Sequence, residues 1–180
     1  MYLRQEFVTM IGFRAGYPCK TVDPTIDIKC ILSNQNKASE EVPVVAKVDS
    51  GFGKGIAINN KLAEVMKVDI NKCKTINVST ISGIKEHLLT TFDSISVKFN
   101  IRYLKPKAIE DEFAEFAYEA TAIPIEIPPD LPDNLVLLGA LFMETNSCEM
   151  IFNGEGADKT KEKYLVLWIE EKDIKKMIKV

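Results

Sequence analysis

One run of residues in this chain has the composition that amide hydrolysis asks for: Asp49-Ser50-Gly51, at the end of an apolar, strand-like segment. Splitting an amide without a metal or a covalent intermediate takes a base to activate water and an acid to protonate the departing groups. Two carboxylates sharing one proton do both, because like charges held side by side cannot both ionise easily. Their protonation constants then belong to the pair rather than to either residue. In such a site a small hydroxyl residue hydrogen-bonds across, and a glycine lets backbone approach backbone. The tripeptide alone equally suits an Asx-type turn closing a hairpin, since Asp, Ser and Gly all favour turns. The nearest second candidate, Asp93-Ser94-Ile95, lacks the glycine and falls inside a predicted strand, so the chain offers one half-site.

The elements that must position Asp49 are mostly short β-type runs. Val42–Val48 reads as a strand, with Val44, Ala46 and Val48 on one face and Val45, Lys47 and Asp49 on the other. Thr25–Leu32 alternates ahead of it, and the polar Ser33–Glu41 joins the two as a hairpin loop. Glu6–Phe13 is an earlier strand, closed by the Gly12/Gly16 region. Gly55–Ile58 is a brief strand, and Asn59 or Asn60 caps a short helix over Lys61–Lys67. Thr75–Thr91 reads as a hairpin with its tip near Ser82-Gly83, and Ser94–Tyr103 as a strand. Ile109–Ala120 is predicted as an amphipathic helix, with Ile109, Phe113, Phe116 and Ala120 on one face; an irregular strand is the alternative. Ala122–Ile127 alternates as a strand ended by Pro128-Pro129. Leu135–Leu138 is a buried strand meeting Gly139, Ala140–Thr145 one or two helical turns, and Cys148–Phe152 another strand. The polar Gly154–Lys163 is the candidate boundary, giving a domain over 1–153 and a strand-helix extension over 154–180. In that extension Tyr164–Ile169 is an apolar strand and a helix starts at Glu170.

Val42-Pro-Val-Val-Ala-Lys-Val-Asp-Ser-Gly-Phe-Gly-Lys-Gly-Ile-Ala-Ile, followed by Asn59-Asn-Lys-Leu-Ala-Glu-Val, resembles the first half of the retropepsin-like aspartic peptidase family. Asn134-Leu-Val-Leu-Leu-Gly-Ala-Leu-Phe-Met, then Cys148-Glu-Met-Ile-Phe, looks like that family's second signature. The glycine-tipped hairpin Ile76–Leu89 lies between them, where the family has its flap. The resemblance covers roughly Thr25 to Asn153 and implies a mostly β, acid-protease β-barrel with one or two short helices. It also implies a role for each matching residue. Asp49 is the catalytic half-dyad. Ser50 braces the two active-site loops, and Gly51 allows their close approach. Leu137, Leu138 and Gly139 form the loop beneath, a structural role. Ser82 and Gly83 tip a mobile flap that touches substrate. One half-site per chain implies an isologous homodimer acting on an extended peptide or protein substrate. A silent, dimeric peptide-binding module of the same fold is the rival expectation, and an unrelated β domain a third.

Three features depart from the family pattern. Phe52 stands where the family usually has a small residue, so its ring narrows the cleft or lines a pocket. Leu141 stands where many microbial relatives have Asp. Lys105–Ala120 reads as an insertion, and Ala157–Val180 extends past the family's usual end.

The remaining features bound the reading. With 180 residues, 46% of them hydrophobic and 27% charged, the chain can bury roughly 70% of its unfolded surface with no help from disulfides or metal. The net charge of −3 gives no basic field for nucleic acid. No signal-peptide-like run or membrane-length apolar stretch is evident, and the four scattered cysteines suit reduced thiols, so the expected place is the cytoplasm. No cofactor and no metal are expected, since the lone His87 has no cysteine near it in sequence. His87 reads as a solvent-exposed or flap-contact residue. The glycines around Lys54 (Gly51, Gly53, Gly55) match no phosphate-loop spacing, and Lys172, Lys175, Lys176 and Lys179 read as a solvated helix face.

Overall fold

A computed structural model describes residues 10–19, 25–103, 115–152, 163–170 and 172–173. The molecule is mostly β, and its described strands form one mixed sheet with two short helices. In chain order the strands are β1 (Met10–Cys19), β2 (Thr25–Asn34), β3 (Val42–Asp49), β4 (Ile56–Ala57), β5 (Lys74–Thr80), β6 (Gly83–Thr90), β7 (Ile95–Tyr103), β8 (Glu115–Ala122), β9 (Ile125–Ile127), β10 (Val136–Leu138), β11 (Cys148–Phe152) and β12 (Lys163–Glu170). The helices are α1 (Asn60–Val65) and α2 (Ala140–Thr145), with a 3-10 turn at Ile70–Lys72.

Across the sheet the strands run β11-β12-β1-β7-β2-β3-β10-β4-β9-β6-β5, and β8, off this path, pairs β7. The path starts at β11 and ends at β5, so the sheet is open: of the closed or partly closed barrel expected, the closed form is not made. The far end of the path is a hairpin, β5–β6, whose backbone pairs with the rest of the sheet through the ladder from Leu88–Thr90 to β9. Among the described residues its outer strand, β5, pairs with β6 alone. At the other end β12, from the segment 154–180, lies between β1 and β11.

Alternation explains most strands. In β2, Ile26, Ile28, Cys30 and Leu32 are buried while Asp27, Lys29 and Ile31 are exposed. In the middle of the sheet Val48, Leu138, Ile56 and Ile125 are register partners in one row and have no exposed surface. Each such side chain contributes about 1.5–3 kcal/mol by leaving water. Asn59 caps α1 by accepting from the Leu62 N–H at 2.8 Å, and its amide donates to the Asp133 carbonyl at 2.9 Å. The cap thereby ties the helix to the approach into β10.

Three expectations give way. β1 runs through Gly12 and Gly16 instead of closing there, because Gly12 makes room for Trp168: a Cβ at Gly12 would lie 3.1 Å from the indole ring. Residues 6–9 of the expected strand lie outside the described residues. Residues 115–120 are strand β8, not helix. Phe116, Tyr118, Ala120 and Ala122 also fit a period of two, and the long partner β7 accepts all of β8, from Ile95↔Ala122 to Arg102↔Glu115. Aromatic contacts fix that register, with Phe116 edge-on to Phe13 at 6.5 Å and Tyr118 tilted on Phe99 at 5.7 Å. The remainder of the expected helix lies outside the described residues, as do residues 154–162 of the boundary and Lys175, Lys176 and Lys179. Finally, the single strand expected over 122–127 is split at Ile123-Pro124 into the end of β8 and β9.

Candidate functional site

Asp49 is the last residue of β3, and the chain turns immediately after it. The Asp49 carbonyl accepts from the Phe52 N–H at 3.1 Å, and Asp49 Oδ1 accepts from the Gly51 N–H at 2.8 Å. The second bond fixes the carboxylate plane, and no group among the described residues bonds Oδ2. Asp49 is half-buried, whereas Ser50 and Gly51 are exposed.

What lies under this turn is set by pairing. β10 runs parallel to β3, in the register Val136↔Ala46, Leu137↔Lys47 and Leu138↔Val48. Parallel neighbours end on the same side of the sheet, so the turn after Asp49 and Gly139 after Leu138 meet. The Ala140 N–H donates to the Phe52 carbonyl at 2.7 Å, and the Gly139 N–H to the Gly55 carbonyl at 3.0 Å. A Cβ at Gly139 would lie 2.2 Å from the Lys54 carbonyl oxygen and 2.3 Å from that of Phe52, so only glycine fits. The Phe52 ring packs against the same spot, with Cδ1 2.6 Å from that Cβ position. Gly55 is equally confined, 2.4 Å from the Ile123 carbonyl oxygen by the same measure. Thus Asp49, Ser50, Gly51 and Phe52 come together with Leu138 and Gly139, Leu138 fully buried and Leu137 half-buried.

Ser82 and Gly83 stand apart, exposed at the end of the β5–β6 hairpin. Gly83 takes φ 113°, a turn conformation that suits glycine, and the Ser82 hydroxyl is 3.1 Å from that of Thr80. Beside them Ile81 and Ile84 are 110% and 75% exposed, an apolar tip that the reading of Ser82 and Gly83 alone did not single out.

A transverse row extends from Asp49's strand. Lys47, Leu137, Ala57, Glu126 and Leu89 are successive register partners across β3, β10, β4, β9 and β6. They share a face with Asp49, two residues beyond Lys47. On that face His87 is buried, not exposed, and its Nδ1 lies 2.5 Å from Oε1 of the buried Glu126. Sequence reasoning missed Glu126 because it reads as the polar position of an alternating strand. Its one local signal is a carboxylate inside an otherwise apolar, proline-flanked run, Ile123-Pro-Ile-Glu-Ile-Pro.

Asp93 is also buried, and it is structural. Its carboxylate accepts from the Asp69 N–H at 3.1 Å and the Asn34 amide at 3.4 Å, and pairs with Lys37 at 3.0 Å. Burial alone would raise this carboxyl, but those hydrogen bonds together hold it below the usual carboxylate range. Cys30, Cys73 and Cys148 are free thiols, and burial pushes Cys30 and Cys148 up to about 12, so both are poor nucleophiles. No cluster of three or more metal-ligating side chains occurs among the described residues, and none of the described helices is long and apolar enough to cross a membrane.

Comparison with family models, with curated proteins and with solved structures finds no match to this chain.

Proposed function

We propose that this chain is one half of a homodimeric aspartic endopeptidase with a retropepsin-like fold, in which Asp49 and its symmetry mate activate a water that splits an extended peptide. The observation that carries the reading is the parallel β3/β10 pairing. It stacks the Asp49 turn on the Gly139 loop through two backbone hydrogen bonds and a contact that tolerates no side chain. A simple Asx turn needs no second loop beneath it. The Gly51 N–H on Asp49 Oδ1 orients the carboxylate and leaves Oδ2 without a hydrogen bond among the described residues, next to the exposed Ser50 and Gly51. That exposed half-site suits a twofold contact with a second copy, which would bring two carboxylates together to share one proton. The hairpin with its apolar tip suits a flap over the bound peptide.

Phe52 supports a second reading. A large half-buried ring beside Asp49 fits a silent, dimeric peptide-binding module built on the same two loops. Size determination together with peptide-library cleavage from acidic to neutral pH, for wild type and Asp49→Ala, separates the two. Cleavage by a dimer that vanishes in Asp49→Ala supports the peptidase. A dimer that binds peptides and cleaves none at any pH overturns it in favour of the module, and a monomer overturns both, since each needs the twofold contact.

A further inference from the structure

The β5–β6 hairpin leaves the sheet at a definite residue. The ladder between β6 and β9 spans Leu88↔Ile127, Leu89↔Glu126 and Thr90↔Ile125, and towards the tip the two arms, among the described residues, pair only with each other, from Ile76↔His87 to Thr80↔Gly83. His87 is therefore the first residue beyond the ladder. At that point its imidazole meets the Glu126 carboxylate of β9 at 2.5 Å, with the two residues 7% and 3% exposed. Two residues nearer the tip, on the same face, Lys85 pairs with Asp130 in the loop that follows β9. The opposite face of the arms, with Asn77, Ser79, Ile84 and Glu86, is exposed. Backbone pairing has thus stopped where two side-chain clasps begin, and both lie on the face that carries Asp49.

We infer that His87 and Glu126 are positioning residues that hold the hairpin at its hinge. The buried bond fixes the angle at which the arms leave the sheet, and Lys85–Asp130 is a weaker, exposed second hold. A hydrogen bond between a buried carboxylate and a ring nitrogen resists bending more than apolar packing at the same place. Separating the pair would leave a buried polar group unpaired on each side. The hinge stands on this geometry alone; its consequence for peptide binding rests on the reading above. If that reading holds, loosening the hinge raises KM more than it lowers kcat, because the closed hairpin is needed first to retain the peptide.

Hydrogen exchange on the intact chain, without peptide, tests the hinge. Glu126→Ala and His87→Ala should each speed exchange of the amides over 76–87 roughly tenfold, the scale of one lost buried hydrogen bond, while amides of β2, β3 and β7 keep their wild-type rates. The double variant should add little to either single one, as expected for one coupled pair. His87→Asn, which keeps a donor near the place of Nδ1, should restore most of the protection. If the alanine variants do not fold, Glu126→Gln and Lys85→Ala, at a half-buried position, decide the matter, each expected to speed the same amides a few-fold. Unchanged exchange over 76–87, or an equal acceleration throughout the sheet, overturns the hinge. A chain that cleaves no peptide yet shows the localised acceleration supports the hinge and counts only against the peptidase reading.

Discussion

Asp93 joins parts of the chain that are distant in sequence, because one carboxylate collects two donors from the β2 loop region (Asn34, Lys37) and a third from the turn after α1 (Asp69). A carboxyl held below its ordinary range contributes stability that is fully present above the unfolded-state value and lost as pH falls through the folded one. Asp93→Asn should therefore reduce stability at neutral pH by about 1–3 kcal/mol for the buried donors left poorly matched, read as a lower midpoint of urea unfolding. The gap between variant and wild type should close as pH drops below the carboxylate range, because the wild type then loses the same interaction. A gap that stays constant down to strongly acidic pH would show that the Asp93 charge contributes nothing. At this scale the sequence was informative about glycine and aspartate types and uninformative about pairs. Asp49, Gly51 and Gly139 stand in local runs whose order carries meaning. His87–Glu126 and Asp93–Asn34 join residues 39 and 59 positions apart, and nothing local announces either.

Among the elements, β8 shows where local pattern runs out. Its residues satisfy helical and strand spacing together, and the long neighbour β7 decides in favour of the strand. Gly12 is a similar case: in sequence it reads as the end of a strand, whereas it accommodates a tryptophan from a strand far along the chain. Elements whose two ends are both marked, such as α1 with its Asn59 cap and the glycine-tipped hairpin, were legible to within a residue or two. The outer side of β8 also has a device that no pattern suggests. Asn146, just past α2, offers its side-chain amide to Thr121 as a strand would, donating to the carbonyl at 2.9 Å and accepting from the N–H at 3.2 Å. It also holds the Phe142 carbonyl at 2.9 Å, so one side chain fastens α2 to the sheet edge. Asn146→Ala should reduce stability by about 1–3 kcal/mol, seen as a lower urea midpoint with an unchanged slope. A midpoint equal to wild type would mean that water replaces all three bonds at no cost.

For the molecule as a whole, a mostly β fold was legible from the run of short alternating segments, but closure was not, because closure depends on where the last strands of the path go. The sheet ends in a projecting hairpin on one side and β11 on the other, and the Asp49 turn lies on an exposed stretch between them. A single carboxylate there cannot be both acid and base, so the proposed chemistry stands or falls on a second copy. Mixing chains tests this more sharply than any single substitution. If every active site draws one Asp49 from each of two chains, adding an equal amount of Asp49→Asn chain to a fixed amount of wild type redistributes half of the wild-type chains into mixed dimers, and the cleavage rate should fall to about half. The same preparation diluted below its dimer dissociation constant should lose specific activity per chain, since the active species then varies with the square of chain concentration. The two effects have one cause and must appear together. A rate indifferent to the added variant, with specific activity indifferent to dilution, would mean that each chain acts alone; Asp49 would then be a turn residue, and whatever the protein cleaves would be cleaved elsewhere.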